Sequence, residues 1–209
     1  MRISPFNPAV SLMKYEIREI VDLVSEVQAL APEMKMEFEN IGDPIAKGWP
    51  VPPFLKTLIH EEVDKSGDKV FGYSHSRGNP GTREWIVNYS KRFSPKSQLD
   101  KDNVLITSGL GAGIAALYHM LPKVVRILQP TPSYPTHSSM ESFSAEAESV
   151  FYKLDPEKDW QVDLKDMEEK IQAHPEVAAI LLINPNNPTG AVYNKETLER
   201  VVDLAEKYG

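Results

Sequence analysis

Cysteine is absent from this 209-residue chain, which excludes disulfides, thiolate catalysis and cysteine-type zinc sites. Runs of Lys and Arg are missing too. With a formal net charge of −7 and an isoelectric point near 5.3, the chain lacks the basic footprint that a phosphate backbone requires, so nucleic acid is not an expected partner. No apolar stretch approaches the roughly 20 residues needed to cross a bilayer, and the opening MRISPFNPAV has no apolar core of signal-peptide length. A cytoplasmic protein without membrane contact is the expectation. Internal repeats and low-complexity segments are also lacking. The histidines at 60, 75, 119, 137 and 174 share no metal-ligand spacing, so no metal site is expected. Adjacent carboxylates at Glu61-Glu62 and Glu168-Glu169 fall on predicted helices, where such pairs form a solvated face rather than an acid/base couple.

What is present is ordinary globular material. Hydrophobic residues make up 41% and charged residues 25%, a balance that favours a folded core over disorder. The length suffices for one sizeable core, with or without a small appendage. Pro5 and Pro8 predict an extended arm over residues 1 to about 14. Ile17, Ile20, Val21, Val24 and Val27 recur at helical spacing and predict an amphipathic helix from Tyr15 to Leu30. The stretch IGDPIAKGWPVPP, residues 41 to 53, reads as a loop and is the one candidate boundary.

Beyond it the pattern alternates. Helices are predicted over Phe54 to Lys65 and Gly81 to Phe93, then a strand Val104 to Thr107 and a helix from Gly111. A strand Val124 to Leu128, a helix from Thr136, a strand Val150 to Lys153 and a helix Leu164 to Ala173 follow. A strand Ala178 to Ile183 and a helix Lys195 to Tyr208 complete the series. Strands alternating with helices argue for a parallel α/β sheet covered on both faces. Ligands of such sheets sit beyond the carboxyl ends of the strands.

Three strand ends carry unusual chemistry. In ITSGLGAGIAAL, residues 106 to 117, glycines at 109, 111 and 113 crowd a strand-to-helix turn. That crowding suits either tight packing or a phosphate at the helix N-terminus. A dinucleotide fingerprint fails there, because the sixth position is Ile114 and the next strand ends in Leu128-Gln129-Pro130 with no carboxylate for a ribose. In QPTPSYPTHSS, residues 129 to 139, three prolines fix a turn that presents Tyr134, either as a ring to stack on a ligand or as a cover for the core. His137 lies three residues further on. The third end is NPNNPTG, residues 184 to 190, where Asn186 and Asn187 bring amide donors and acceptors to the ligand edge and Asn194 is placed to cap the next helix.

NPNNPTG resembles the NPxNPTG signature of the class I/II aminotransferases, enzymes of fold type I that use pyridoxal 5′-phosphate (PLP). Further landmarks appear in that family's order: GDP at 42 to 44, YSHSRGNPGTRE at 73 to 84, TSG at 107 to 109 and PSYP at 132 to 135. The resemblance covers residues 15 to 209. It implies part of a mostly parallel, three-layer large domain over residues 48–209, preceded by an N-terminal arm and helix over residues 1–47.

It also implies roles. Backbone N–H groups at Gly109, Leu110 and Gly111 hold the cofactor phosphate, Tyr134 stacks on the pyridine ring, and Asn187 donates to the ring's phenolic oxygen. Tyr73 reaches the phosphate of the neighbouring subunit of a homodimer, and Gly42 lies beside the substrate carboxylate. The implied substrates are an amino acid and a 2-oxo acid. Thr82 stands where the family has leucine. Leu110 and Gly111 stand where it commonly has polar residues, which leaves the phosphate to the backbone.

The family's Schiff-base lysine, its Asp for the pyridine nitrogen and its two later arginines have no counterpart among these residues. No catalytic residue is therefore assigned, and the chain alone is expected to be inactive, and unstable or rearranged. A carbon-sulfur lyase or a cyclopropane-forming synthase of the same fold shares the NPxNPTG region. From a different class, a non-catalytic phosphate-binding or dimerisation module is also compatible.

Overall fold

The computed structural model describes residues 7–13, 16–37 and 42–209. Pro5, Tyr15 and Ile41, on which parts of the predicted arm, first helix and loop rest, lie outside them. The chain divides into two compact units, one formed by Met1–Val21 with Ser108–Gly209 and the other by Asp22–Thr107.

Pro8–Leu12 forms a 3-10 helix rather than the extended arm predicted there. Pro8 is responsible, because its fixed φ suits the first helical position, and the Asn7 side chain caps the turn by accepting from the Ala9 N–H at 2.9 Å. Helix α1 then runs over Glu16–Leu30.

In the Asp22–Thr107 unit, α2 (Pro53–Ser66) starts on a proline at its first position and buries none of its residues; Phe54, Leu58 and Ile59 are exposed. A 3-10 turn over Gly67–Phe71 leads towards α3 (Pro80–Ser90), whose N-cap Asn79 accepts from the Gly81 and Thr82 N–H groups. Val104 to Thr107 is not the strand that its apolar pattern predicts. A ladder needs a partner, and among the described residues no strand lies beside it. Its Ile106 N–H donates instead to the Arg77 carbonyl at 3.0 Å.

The other unit holds the sheet. Helix α4 (Leu110–Met120) precedes β1 (Arg126–Thr131), α5 (Pro135–Ala145), β2 (Val150–Asp155) and β3 (Gln161–Val162). Helix α6 (Leu164–Ala173), β4 (Val177–Ile180) and α7 (Lys195–Tyr208) follow. The strand order is β3-β2-β1-β4. Strand β1 lies parallel to β2, with Leu128 opposite Val150, and parallel to β4, with Leu128 opposite Ile180; β3 is a short antiparallel addition at the edge.

Neighbouring residues of a strand face opposite sides, and the core follows that rule. Leu128 packs with Tyr152, Leu154, Met167, Val201 and Leu204, which places α6 and α7 on one face. Ile127 packs with Ile114 and Tyr118, which places α4 on the other, and Tyr134 and Met140 join from the α5 side. The result is three layers. Each fully buried side chain of this size contributes roughly 1.5–3 kcal/mol.

Strand β1 extends to Thr131, beyond the predicted end at Leu128, and passes through a buried Pro130. The Leu181 N–H donates to the Leu128 carbonyl at 2.8 Å, so Leu128 and, two residues on, Pro130 direct their backbone groups to the β4 side. Pairing with β4 has ended by then, so the N–H that proline lacks breaks no ladder bond. A groove of about 300 Å³ runs along β4 between α6 and α7, lined by Ile171, His174, Val177, Leu204 and Tyr208. It follows the strand itself, whereas the three predicted site segments lie beyond strand ends or at a helix start.

Candidate functional site

The start of α4 is built on Gly109, whose φ of 80° and ψ of 166° fall in a region essentially reserved for glycine. This residue is the helix N-cap, and beyond the adjoining backbone no atom of the described residues lies within 4 Å of where a Cβ would sit at Gly109 or at Gly111. Close packing does not explain either glycine. The first N–H groups of a helix have no intrahelical acceptor and point along its axis, a geometry suited to an anion. Leu110 is exposed and offers no polar side chain, so any anion held here is held by the backbone.

Tyr134 is the N-cap residue of α5, following a cis Thr131-Pro132 bond. It is half-buried and packs against the Ile114, Tyr118 and Ile127 cluster. His137 meets its ring edge-on, with centroids 6.3 Å apart and planes at 78°. The His137 Nδ1 lies 3.4 Å from the Tyr118 hydroxyl. Burial pushes the His137 pKa below its ordinary value, favouring the neutral ring. The Ser133 hydroxyl, one residue before Tyr134, is buried without a hydrogen-bond partner among the described residues.

The NPNNPTG loop leaves the carboxyl end of β4, beside the end of β1. Its polar groups divide sharply. Asn184 Oδ1 accepts from the Tyr193 N–H at 3.1 Å. The Gly190 N–H donates to the Asn186 carbonyl at 2.7 Å, and the Asn186 N–H to the Ala191 carbonyl at 2.8 Å. Asn186 is buried, and its Nδ2 donates to Thr189 Oγ1 at 2.9 Å. Asn187 alone of the three asparagines makes none of these bonds, and it is exposed. Side-chain chemistry alone treats Asn186 and Asn187 alike, and only the family resemblance singles out Asn187; the structure gives the first to the loop and the second to the surface. Asn194 caps α7 as predicted, accepting from the Thr197 N–H at 2.8 Å.

Gly109, Leu110, Gly111, Tyr134 and Asn187 therefore belong to one unit, with α4, Tyr134 and Leu181 at the end of β4 meeting in one apolar cluster. Gly42 and Tyr73 belong to the other. Tyr73 is fully exposed, and among the described residues nothing beyond the chain neighbours lies within 4 Å of the Cβ position of Gly42.

Two buried polar groups escaped sequence reasoning. Glu141 on α5 accepts from the Ile127 N–H at 2.6 Å and from Gln129 Nε2 at 2.8 Å. Desolvation pushes its pKa above the ordinary value. Gln129, a polar residue inside the apolar run VVRILQP, was the available signal. Arg83, 2% exposed, donates to the Gly78 carbonyl at 3.2 Å and to the Lys101 carbonyl at 2.7 Å, pinning the turn before α3 to the segment that leads into residues 104–107.

Residues 47–209 match the family Aminotransferase class I and II. This chain belongs to that family. An uncharacterized aminotransferase of Methanocaldococcus jannaschii is 39% identical over 206 residues, which cover 97% of this chain and 46% of that relative. The solved alanine aminotransferase from Pyrococcus furiosus matches at 32% identity with a TM-score of 0.81, covering 97% of this chain and 50% of that one. An aspartate aminotransferase single mutant from Thermus thermophilus, 21% identical, shares the fold at a TM-score of 0.80, with 99% of this chain and 51% of that one covered. The chain spans about half the length of the relatives it matches. Its fold is part of the fold type I architecture expected from the sequence.

The donor set fits the cofactor this family implies. PLP presents a phosphate, a flat ring and a phenolic oxygen. The chain presents a glycine-capped helix start with open space at two Cβ positions, a half-buried tyrosine face and an exposed amide.

Proposed function

We propose that this chain forms the cofactor-holding half of a PLP-dependent aminotransferase, which passes the amino group of an amino acid to a 2-oxo acid. The observation that carries the reading is the NPNNPTG loop, in which the Asn184 side chain is engaged by the Tyr193 N–H, and Asn186 and Thr189 by each other and by Ala191, while Asn187 is exposed and makes none of these bonds. When bound, PLP supplies the electron sink for removal of the α-proton. The protein's part here is binding and orientation. The N–H groups of Gly109, Leu110 and Gly111 hold the phosphate, the Tyr134 ring lies against the pyridine face, and the Asn187 amide donates to the phenolic oxygen. Gly42 leaves room for the substrate carboxylate. Tyr73 reaches the phosphate held by a second subunit, so the working form is a homodimer, in the cytoplasm. Residues 1–47 form the arm and interface segment, and residues 48–209 the first part of the large domain.

None of these residues is placed to move a proton. The isolated 209-residue chain, given PLP, alanine and a 2-oxo acid, is expected to show no turnover, since the family's Schiff-base lysine has no counterpart among these residues. Turnover by the isolated chain contradicts this division of labour, and a native product that binds no PLP contradicts the reading itself.

A further inference from the structure

A line of polar groups, buried from Glu141 to Tyr118 and half-buried at His137, runs from the β1 face of α5 back to the neighbour of Tyr134. Glu141, 1% exposed, accepts from Gln129 Nε2 at 2.8 Å; the same Nε2 lies 3.4 Å from the Tyr118 hydroxyl; and that hydroxyl lies 3.4 Å from His137 Nδ1. Gln129 is fully buried, and its Oε1 has no partner among the described residues. Amide oxygen and nitrogen are nearly isosteric, so a buried glutamine can turn over in place and exchange a donor for an acceptor.

Each orientation demands a different proton arrangement. With Glu141 ionised, both its oxygens accept: Gln129 donates to it and towards Tyr118, and the Tyr118 hydroxyl donates to an unprotonated His137 Nδ1. With Glu141 neutral, its O–H must donate, either to the Ser149 hydroxyl, which also bonds this carboxyl, or to the Gln129 oxygen after turnover; in the second case the amide reverses. Tyr118 then also donates to that oxygen, and His137 must donate from Nδ1 to the Tyr118 oxygen. One side of the amide lacks a partner in either arrangement, so the proton on Glu141 decides between them when it is donated to Gln129 rather than to Ser149.

We infer that the protonation state of Glu141 sets the tautomer of His137, through the Gln129 amide and the Tyr118 hydroxyl, and thereby the polarity of the ring edge beside Tyr134. Glu141 is thus a positioning residue. Its significance for the cofactor rests on the proposed stacking role of Tyr134, but the relay itself does not. The groups facing it are Tyr118 from α4, Arg126 and Gln129 from β1, His137 from its own helix and Ser149 ahead of β2. Arg126 is engaged with the carbonyls of Lys123 and Val125. Burial raises the Glu141 pKa, which brings its titration nearer the neutral range than an exposed carboxyl's.

The test is ¹⁵N NMR of the histidine rings in the product of the native reading frame, first without PLP, with His137 assigned by its absence in His137→Gln. In the native protein the His137 Nδ1 signal should pass from the N–H type to the unprotonated type as pH rises through the Glu141 titration. Glu141→Gln, which carries a permanent donor, should hold the N–H type at Nδ1 wherever the ring is neutral. Adding Tyr118→Phe should make His137 indifferent to residue 141. The same tautomer in native protein and Glu141→Gln at every pH overturns the inference, as does a Glu141→Gln effect that survives Tyr118→Phe. A switch seen in protein that fails to bind PLP leaves the relay standing and refutes the cofactor reading alone.

Discussion

Asn184 and Tyr193 close the loop that follows β4: the Asn184 side-chain oxygen accepts from the Tyr193 backbone N–H at 3.1 Å, and Tyr193 is buried. The bond spans the whole NPNNPTG string, so the loop is closed by its first asparagine, which is itself exposed.

Replacing that asparagine should be costly. Asn184→Ala leaves the Tyr193 N–H without its acceptor in a buried setting and is expected to lose about 1–3 kcal/mol of stability in urea unfolding. Asn187→Ala, three residues away, touches none of the loop bonds and should stay within about 0.5 kcal/mol of the native protein. Equal losses at the two positions contradict this separation.

The two glycines at the start of α4 should respond with opposite signs. Gly109→Ala forces an L-residue into a conformation that costs about 1–3 kcal/mol, although nothing crowds its Cβ. Gly111→Ala, inside the helix and with open space around it, should gain about 0.5–1 kcal/mol. If the α4 amides also hold phosphate, Gly111→Ala weakens PLP binding while raising the melting temperature. A Gly111→Ala protein that is more stable and binds PLP unchanged places the phosphate elsewhere.

How much of this was legible beforehand depended on range. The cap residue Asn194 and helices α6 and α7 agree with their predicted bounds, because periodicity and capping are local. The NPNNPTG, TSG and PSYP strings are local as well, and they name the candidate segments from sequence alone. The failures concern partners distant in sequence. Val104 to Thr107 has the composition of a strand but no neighbouring strand among the described residues, and β1 outlasts its proline because pairing with β4 has already ended. Side-chain chemistry did not separate Asn186 from Asn187, since both are asparagines in one string and only the fold decides which faces inward; the resemblance alone singled out Asn187. Glu141 looked like any helical carboxylate until β1 was packed beneath it.

Arg83 offers a test in the other unit. Its guanidinium is buried and bonded to two backbone carbonyls, whereas its ion-pair partner Asp102, 3.4 Å away, is largely exposed and shared with Arg77. Arg83→Met should lose about 1.5–3 kcal/mol, and Asp102→Asn less than about 1 kcal/mol. A reversed order means that the ion pair, not the carbonyl bonds, secures the turn before α3.

Glu141 makes stability depend on pH in a defined direction. Its folded pKa lies above the ordinary value of 4.5, because burial disfavours the charge more than its hydrogen bonds favour it. The contribution is full below the unfolded pKa and is lost as pH rises through the folded one. Glu141→Gln does not titrate. Its melting temperature relative to the native protein should therefore rise from pH 4 upwards and level off once Glu141 is ionised. A relative gain that appears only on acidification contradicts the sign.

The central claim is that the exposed amide of Asn187, on a loop tied together by Asn184, Asn186 and Thr189, contacts the ring of PLP. The direct measurement is the PLP dissociation constant of the native-frame product and of its Asn187→Ala variant, alongside the melting temperature of each without cofactor. One lost hydrogen bond of about 1–1.5 kcal/mol corresponds to roughly tenfold weaker binding. The account predicts that tenfold loss with an unchanged melting temperature; equal PLP affinity in the two proteins contradicts it.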